Sequence, residues 1–154
     1  MREGGEFREL MLQVFRTRMS FRRAMQRTLK RNNAGITFEM LQILSSLWHE
    51  QGITQQVLAE RTAKDKACLT NLMNNLEKKG YVERIRTEAD RRVVRIALTS
   101  KGRKALEQHE RFYFDLVEEA CRDMDDREKK IFIQSLENMS QFFSKKLLSY
   151  TESE

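Results

Sequence analysis

Residues 53–102 read ITQQVLAERTAKDKACLTNLMNNLEKKGYVERIRTEADRRVVRIALTSKG, and the reading of this stretch decides the fold. Thr54 is placed as a helix N-cap, with Ile53 and Leu58 at the flanking and fourth positions of a hydrophobic staple. The helix is short, about 54–61, with Val57, Leu58 and Ala59 turned inward. Thr62-Ala63-Lys64 makes a three-residue turn. Asp65 then caps a second helix over 66–79, in which Leu69, Leu72, Met73 and Leu76 recur at i, i+3, i+4 and i+7. Gly80 stops it. Beyond Gly80 the hydrophobic period falls from 3.6 to 2. Residues 81–86 and 93–98 are short strands rich in β-branched side chains, and the polar segment 87–92 joins them as a hairpin loop. A short helix, a tight turn, a second helix and a hairpin, in that order, make a winged helix-turn-helix.

Helices extend outward on both sides. From Phe7 to about Asn32, Leu10, Met11, Val14, Phe15, Met19, Phe21 and Met25 form an apolar stripe, and arginines fill the other side. Thr37 caps a helix running to about His49, with Ile36 and Leu41 as its staple and Met40, Leu44, Leu47 and Trp48 as further apolar positions. After the wing, Thr99 caps a helix to about Arg122. Asp125 and Glu128 have capping-box spacing and open a last helix to about Tyr150. The expected fold is therefore mainly α with a small β-wing: six helices and a two- to three-stranded antiparallel sheet.

Composition agrees. The 154 residues contain no proline and six glycines, which disfavours a turn-rich β-sandwich. No apolar run approaches the roughly 20 residues of a membrane span, and the first residues lack the apolar stretch of a secretion signal. Two cysteines, Cys68 and Cys121, are too few for a disulfide framework. A cytoplasmic protein with no membrane partner is expected. Residues 1–100 carry a net charge of +8 and residues 101–154 a net charge of −2, so the basic excess is confined to the part holding the winged helix. That distribution suits a polyanion.

The outer face of the helix at 66–79 says which polyanion. With Leu69, Leu72, Met73 and Leu76 at the core, Ala67, Thr70, Asn71, Asn74 and Lys78 point outward. This face has no acidic residue. Amides can pair with adenine edges, a threonine methyl can touch a thymine methyl, and Ala67 permits close approach. Lys66, at the helix start, suits a phosphate or guanine contact. Thr54, Gln55 and Gln56 sit at a helix N-terminus positioned to meet phosphate. The expected partner is double-stranded DNA.

Two motifs sharpen this: Leu-Glu-Lys-Lys-Gly-Tyr-Val at 76–82, and Asp90-Arg91-Arg92 followed by Leu98-Thr99-x-x-Gly102. At this spacing, and within this order of elements, the chain resembles the MarR family of bacterial transcription regulators over nearly its whole length. The resemblance implies a homodimer in which helices of residues 1–34 and 101–154 interlock as a dimerisation region. Residues 35–100 form the DNA-binding domain, with the helix-turn-helix at about 54–79 and the wing at about 81–98. Each subunit would read half of a near-palindromic operator. The sequence gives an independent reason to expect a partner: Phe7, Leu10, Phe112, Phe114, Ile131, Phe132, Leu136, Phe142 and Phe143 lie at the chain ends with no third layer to cover them. The resemblance also maps the family's wing motif onto Asp90 and Arg92, the arginine reaching into the minor groove, where a narrow A·T-rich groove favours a guanidinium. Arg86 and Arg91 would add backbone contacts, with Arg84 and Arg95 as further wing charge.

The function expected is a dimeric repressor relieved by a small molecule. The alternative is a winged-helix scaffold that binds proteins and no operator. The family's ligands, often aromatic acids or phenols, imply a pocket between dimerisation helices and DNA-binding lobe. Phe21, Met25, Leu44 and Trp48 would wall it, unless they simply fill the core, and Arg18 or Arg22 would meet a carboxylate. Catalysis has no support: His49 and His109 fit no zinc-protease pattern and there is no Gly-rich phosphate loop. No cofactor or metal is expected, since His109 with Glu107 or Glu110 lacks a matching second histidine at Tyr113. Cys68 is read as a small packing residue, with thiol sensing as the other possibility.

Overall fold

The computed structural model describes the backbone of residues 3–87 and 90–151, and the side chains of residues 5–86 and 93–146. Its elements are α1 (Glu3–Arg31), α2 (Phe38–His49), β1 (Ile53–Thr54), α3 (Gln55–Thr62), α4 (Lys66–Lys78), β2 (Val82–Thr87), β3 (Asp90–Leu98), α5 (Ser100–Ala120) and α6 (Asp126–Thr151). They give a winged helix with six helices and an antiparallel sheet of order β1-β3-β2. Two compact units result, one ending at Tyr113 and one beginning at Phe114.

The caps behave as their chemistry dictates. Thr37 accepts from the Met40 amide at 3.2 Å, Thr54 from Val57 at 3.3 Å and Asp65 from Cys68 at 2.8 Å. Asp125 and Glu128 cap each other's backbone amides, both at 2.8 Å. The core of the first unit is built on Met25, Ile43, Leu44, Leu47, Leu58, Leu69, Met73, Leu76 and Ile96, all fully buried. Three inward positions expected from periodicity are only half-buried: Val57, Ala59 and Leu72. The eight-residue α3 is too short to turn more than one side chain, Leu58, fully into the core between α2 and α4. Trp48, on the last turn of α2, is exposed rather than inward.

β1 lies beyond what periodicity could find, since two residues show no alternation. Its pairing places Ile53 opposite Ile96 and Thr54 opposite Arg95. Around it, the Gly52 amide donates to the Ile96 carbonyl at 2.9 Å, Arg95 Nη1 donates to the Gly52 carbonyl at 2.8 Å, and the Leu98 amide donates to Gln51 Oε1 at 2.9 Å. The turn after α3 holds Ala63 in the left-handed region, φ +49°. There its amide reaches back to the last carbonyls of α3.

The two sequence motifs meet as halves of one corner. Gly80 takes φ +74°, which lets its amide bond to the Glu77 carbonyl at 2.8 Å and the Tyr81 amide to that of Leu76 at 2.9 Å. Thr99 closes the corner: its hydroxyl donates to the Gly80 carbonyl at 2.6 Å and accepts from the Gly102 amide at 3.0 Å. Lys101 Nζ donates to the Lys79 carbonyl at 2.7 Å and lies 5.1 Å from the centre of the Tyr81 ring. The end of α4 and the start of α5 are thus fixed to one another.

Helix α5 buries Gly102, Ala105, Leu106 and His109, spaced i, i+3, i+4 and i+7. His109 is therefore a core residue stacked beside Phe112, with ring centres 5.9 Å apart. Its Nδ1 is buried with no hydrogen-bond partner among the described residues. Burial depresses its pKa, and a hydrogen bond to the Ala34 backbone only partly opposes this. The unfolded chain therefore takes up the proton first as the pH falls. The stability contributed by neutral His109 is complete above the unfolded value of about 6.5 and is lost as the pH falls from there through the lower folded value. Thermal melts of the chain and of His109→Gln from pH 7.5 to 5 should show a steeper acid loss in the parent, and parallel curves would refute this.

Candidate nucleic-acid interface

Helix α4 presents Lys66, Ala67, Asn71, Asn74 and Lys78 to solvent, and Thr70 half-buried. The capping Asp65 spends its carboxylate on the Cys68 amide. Cys68 itself is exposed, so the packing role expected of it is corrected. Its place on the first turn turns it away from the Leu69 side of the helix.

Thr70 and Gln55 are coupled. Gln55 Nε2 donates to Thr70 Oγ1 at 2.8 Å, and that hydroxyl donates to the Lys66 carbonyl at 2.7 Å. With its hydroxyl used in both directions, Thr70 has its methyl left to offer a base. Thr54 likewise spends its oxygen on the Val57 amide, while Gln56 beside it is exposed. The first amides of α3 are left without intrahelical carbonyl partners, as at any helix start.

Glu77, on the same helix, is the acid that could have spoiled this face. It is held by an ion pair to Arg84 of β2, whose other terminal nitrogen donates to Asn74 Oδ1 at 3.0 Å. Sequence reasoning treated Arg84 as loose wing charge and missed this bridge. The only available signal was a Glu and an Arg of opposite sign flanking the Gly80 corner. Arg95 is also engaged within the chain, at the Gly52 carbonyl.

On the wing, Arg86 is exposed and stands opposite Val94 in the ladder. The strand runs back to Asp90, three residues earlier than alternation suggested, with a register shift between Arg86 and Thr87. The side chains of Asp90, Arg91 and Arg92 lie outside the described ones, so the wing-tip expectation has no geometry to report.

The six residues expected around an effector differ in their settings. Met25 and Leu44 are fully buried in the core, Trp48 is exposed, and Phe21 packs edge-on against Phe38 at 5.8 Å and Tyr113 at 5.5 Å. Arg18 is exposed, and Arg22 is committed to Glu39 through two hydrogen bonds. Burial works to raise the Glu39 pKa, but hydrogen bonds from Arg22, its own backbone and Thr37, with the Arg22 charge, outweigh it and hold the carboxyl below its ordinary range. An open cavity of about 560 Å³ lies elsewhere, where the end of α1 meets the start of α2. Leu29, Lys30, Ile36, Phe38 and Lys79 are among its lining, and none of the six expected residues is. Among the described residues no three His, Cys, Asp or Glu side chains gather as metal ligands, and no helix is long and apolar enough to cross a membrane.

A wing, a capped second helix with a neutralised outer face, and flanking helices define a winged-helix regulator of transcription of the MarR type. The profile of the family described as Transcriptional regulator SarA/Rot matches residues 27–109, and the chain belongs to that family. It is 30% identical over 105 residues to YdgJ, a helix-turn-helix-type transcriptional regulator of Bacillus subtilis, covering 68% of this chain and 64% of that one. TtmR of Methylorubrum extorquens, of the same type, is 34% identical over 95 residues, covering 62% of this chain and 48% of that one. The chain thus spans about half to two thirds of these relatives' length. Among solved structures it resembles a MarR transcriptional regulator from Methanosarcina mazei, with TM-score 0.80 and 26% identity over 90% of this chain and 98% of that one. Streptococcus pneumoniae FabT, solved in complex with DNA, gives TM-score 0.67 and 27% identity over 92% and 97%. YdgJ, TtmR and the Methanosarcina protein are transcriptional regulators, not enzymes.

Proposed function

We propose that the chain is a cytoplasmic, homodimeric repressor that binds a near-palindromic operator and is released by a small aromatic or phenolic effector. The observation that carries this reading is the outer face of α4: Ala67, Asn71, Asn74 and Lys78 are exposed together while the acids nearest them, Asp65 and Glu77, are engaged. A protein-docking face has no need of that arrangement; a helix entering the major groove does, because every unpaired carboxylate there faces phosphate. Asp90, Arg91 and Arg92 serve the wing, Arg86 adds backbone charge, and Gln56 with the start of α3 fixes the docking angle.

Association rests on apolar side chains in both units. Phe7, Leu10 and Phe15 of α1 and Phe132, Phe142 and Phe143 of α6 are all exposed. Residues 1–34 and 101–154 are the dimerisation region in this reading, and 35–100 the DNA-binding domain. A C₂ pair would set two α4 helices about 34 Å apart, one turn of duplex. For an effector, the cavity between α1 and α2 pairs apolar walls with Lys30 and Lys79, a combination suited to an aromatic acid. Any such ligand must weaken operator affinity by the factor by which DNA weakens its own.

Operator fragments selected from a random duplex pool test the reading. Arg92→Ala should weaken binding by about 1–3 kcal/mol and relax an A·T-rich flank, and Asn71→Ala should lose preference inside the half-site. Gln56→Ala should weaken all sequences alike. If the pool yields no enriched sequence, the protein-scaffold alternative replaces this one.

A further inference from the structure

The Arg84 bridge does more than neutralise Glu77. Arg84 Nη1 is bound to the Glu77 carboxylate while Nη2 donates to Asn74 Oδ1 at 3.0 Å, so one guanidinium bridges two successive turns of α4. A guanidinium has donors and no acceptor. Asn74 can therefore meet it with its carbonyl alone, and turning the amide over would set N–H against N–H. The orientation of Asn74 is fixed by chemistry: oxygen toward the wing, NH₂ away from Arg84. Arg84 is itself held at its other arm by Glu77, so it cannot follow Asn74 into a new position without breaking an ion pair.

The geometry points to Asn74 as a reader of the major groove through its NH₂, with guanine as the base it selects. This rests on the operator-binding reading. An unrestrained asparagine prefers adenine, because its oxygen accepts from N6 while its nitrogen donates to N7. Here Arg84 takes one of the oxygen's two lone pairs and sets a cation beside it, so an adenine N6–H would have to share the oxygen with that donor, while the NH₂ is unencumbered. The free NH₂ has two N–H bonds to place. Guanine offers two adjacent acceptors, O6 and N7, adenine N7 and thymine O4 offer one each, and cytosine turns a donor toward it. The resulting order is guanine first, adenine and thymine behind it, and cytosine last. Arg84 and Glu77 are positioning residues in this arrangement. They touch no base, yet they decide which base Asn74 accepts.

The test selects operators from a random-sequence duplex pool with the full chain and its variants. The parent should enrich guanine at one base pair of each half-site, and Asn74→Ala should level that position alone. Arg84→Met keeps the length of the side chain but frees the amide, and should move that same position from guanine to adenine by about tenfold in relative enrichment. Glu77→Gln, which loosens Arg84 without removing it, should shift it the same way by less. The inference is overturned if Arg84→Met leaves the guanine preference intact, if it weakens every sequence equally, or if the parent prefers adenine at the position that depends on Asn74. It falls too if Asn74→Ala changes no position. Those results leave operator binding standing. A parent chain that enriches no sequence at all removes the operator reading and this one with it.

Discussion

Gly102→Ala should destabilise the chain by the upper part of the about 1–3 kcal/mol typical of overpacking, and more if the corner cannot yield. A Cβ at this position would lie 2.0 Å from the Tyr81 carbonyl oxygen and 2.9 Å from its carbon. The obstacle is backbone, so no rotamer change relieves it. Nor can Tyr81 retreat freely: its amide is bonded to the Leu76 carbonyl and its carbonyl to the Thr99 amide at 3.1 Å. Relief must come from moving the start of α5 away from the end of α4, at the expense of the Thr99 bonds. Urea unfolding would read the loss, and Gly80→Ala gives a useful contrast. There the new methyl has only the flexible Lys101 side chain within reach, at 3.8 Å, so the penalty comes from φ +74° alone. An unchanged midpoint for Gly102→Ala would show that the corner is not held as described.

The second large effect is on association. In the proposed dimer, removing residues 136–154 should give aggregated or unfolded chain rather than a soluble monomer. Phe142 and Phe143 pack against each other edge-on, 5.8 Å between centres, yet are 63% and 53% exposed, and Ile131, Phe132 and Ile133 repeat the pattern further up α6. Exposed rings at this density are uncommon on a monomer and are covered when a partner helix lies over them. Shortening α6 leaves its remaining apolar residues and those of α1 with less to pair with. Sedimentation of the intact chain at micromolar concentration should show a dimer, and a well-folded monomer there would end the claim.

The local rules that were legible were those written in single residues. Thr37, Thr54, Asp65, Asp125 with Glu128, and Gly80 each mark an element boundary because an oxygen acceptor or a positive φ is needed there, whatever the surroundings. Periodicity placed α4, and the outward set Ala67, Asn71 and Asn74 followed from its geometry. What could not be read was set by distance in space. Nothing local announces that Ile53 and Thr54 will form an edge strand on residues more than forty positions away. The same holds for His109: only the packing of α5 beside Ala34 makes it a buried neutral ring instead of a surface ligand candidate. The settings of the effector candidates were likewise decided by distance in space. Met25 and Leu44 share the apolar character of a pocket wall, but burial consumes them completely. Arg22, offered to a carboxylate, had already found one in Glu39.

The residue at the edge of the sheet has a further effect. Thr54 belongs to two hydrogen-bonded systems at once, as a partner of Arg95 in the sheet and as the acceptor for the Val57 amide. Gly52 and Gln51 add three more bonds to the same stretch of β3. Peeling the wing from this edge therefore frays the first turn of α3 with it, and the two should open as one cooperative unit with a single protection factor rather than as separate fluctuations. The base of the hairpin is thereby stiff, and the angle between α3 and the sheet stays set.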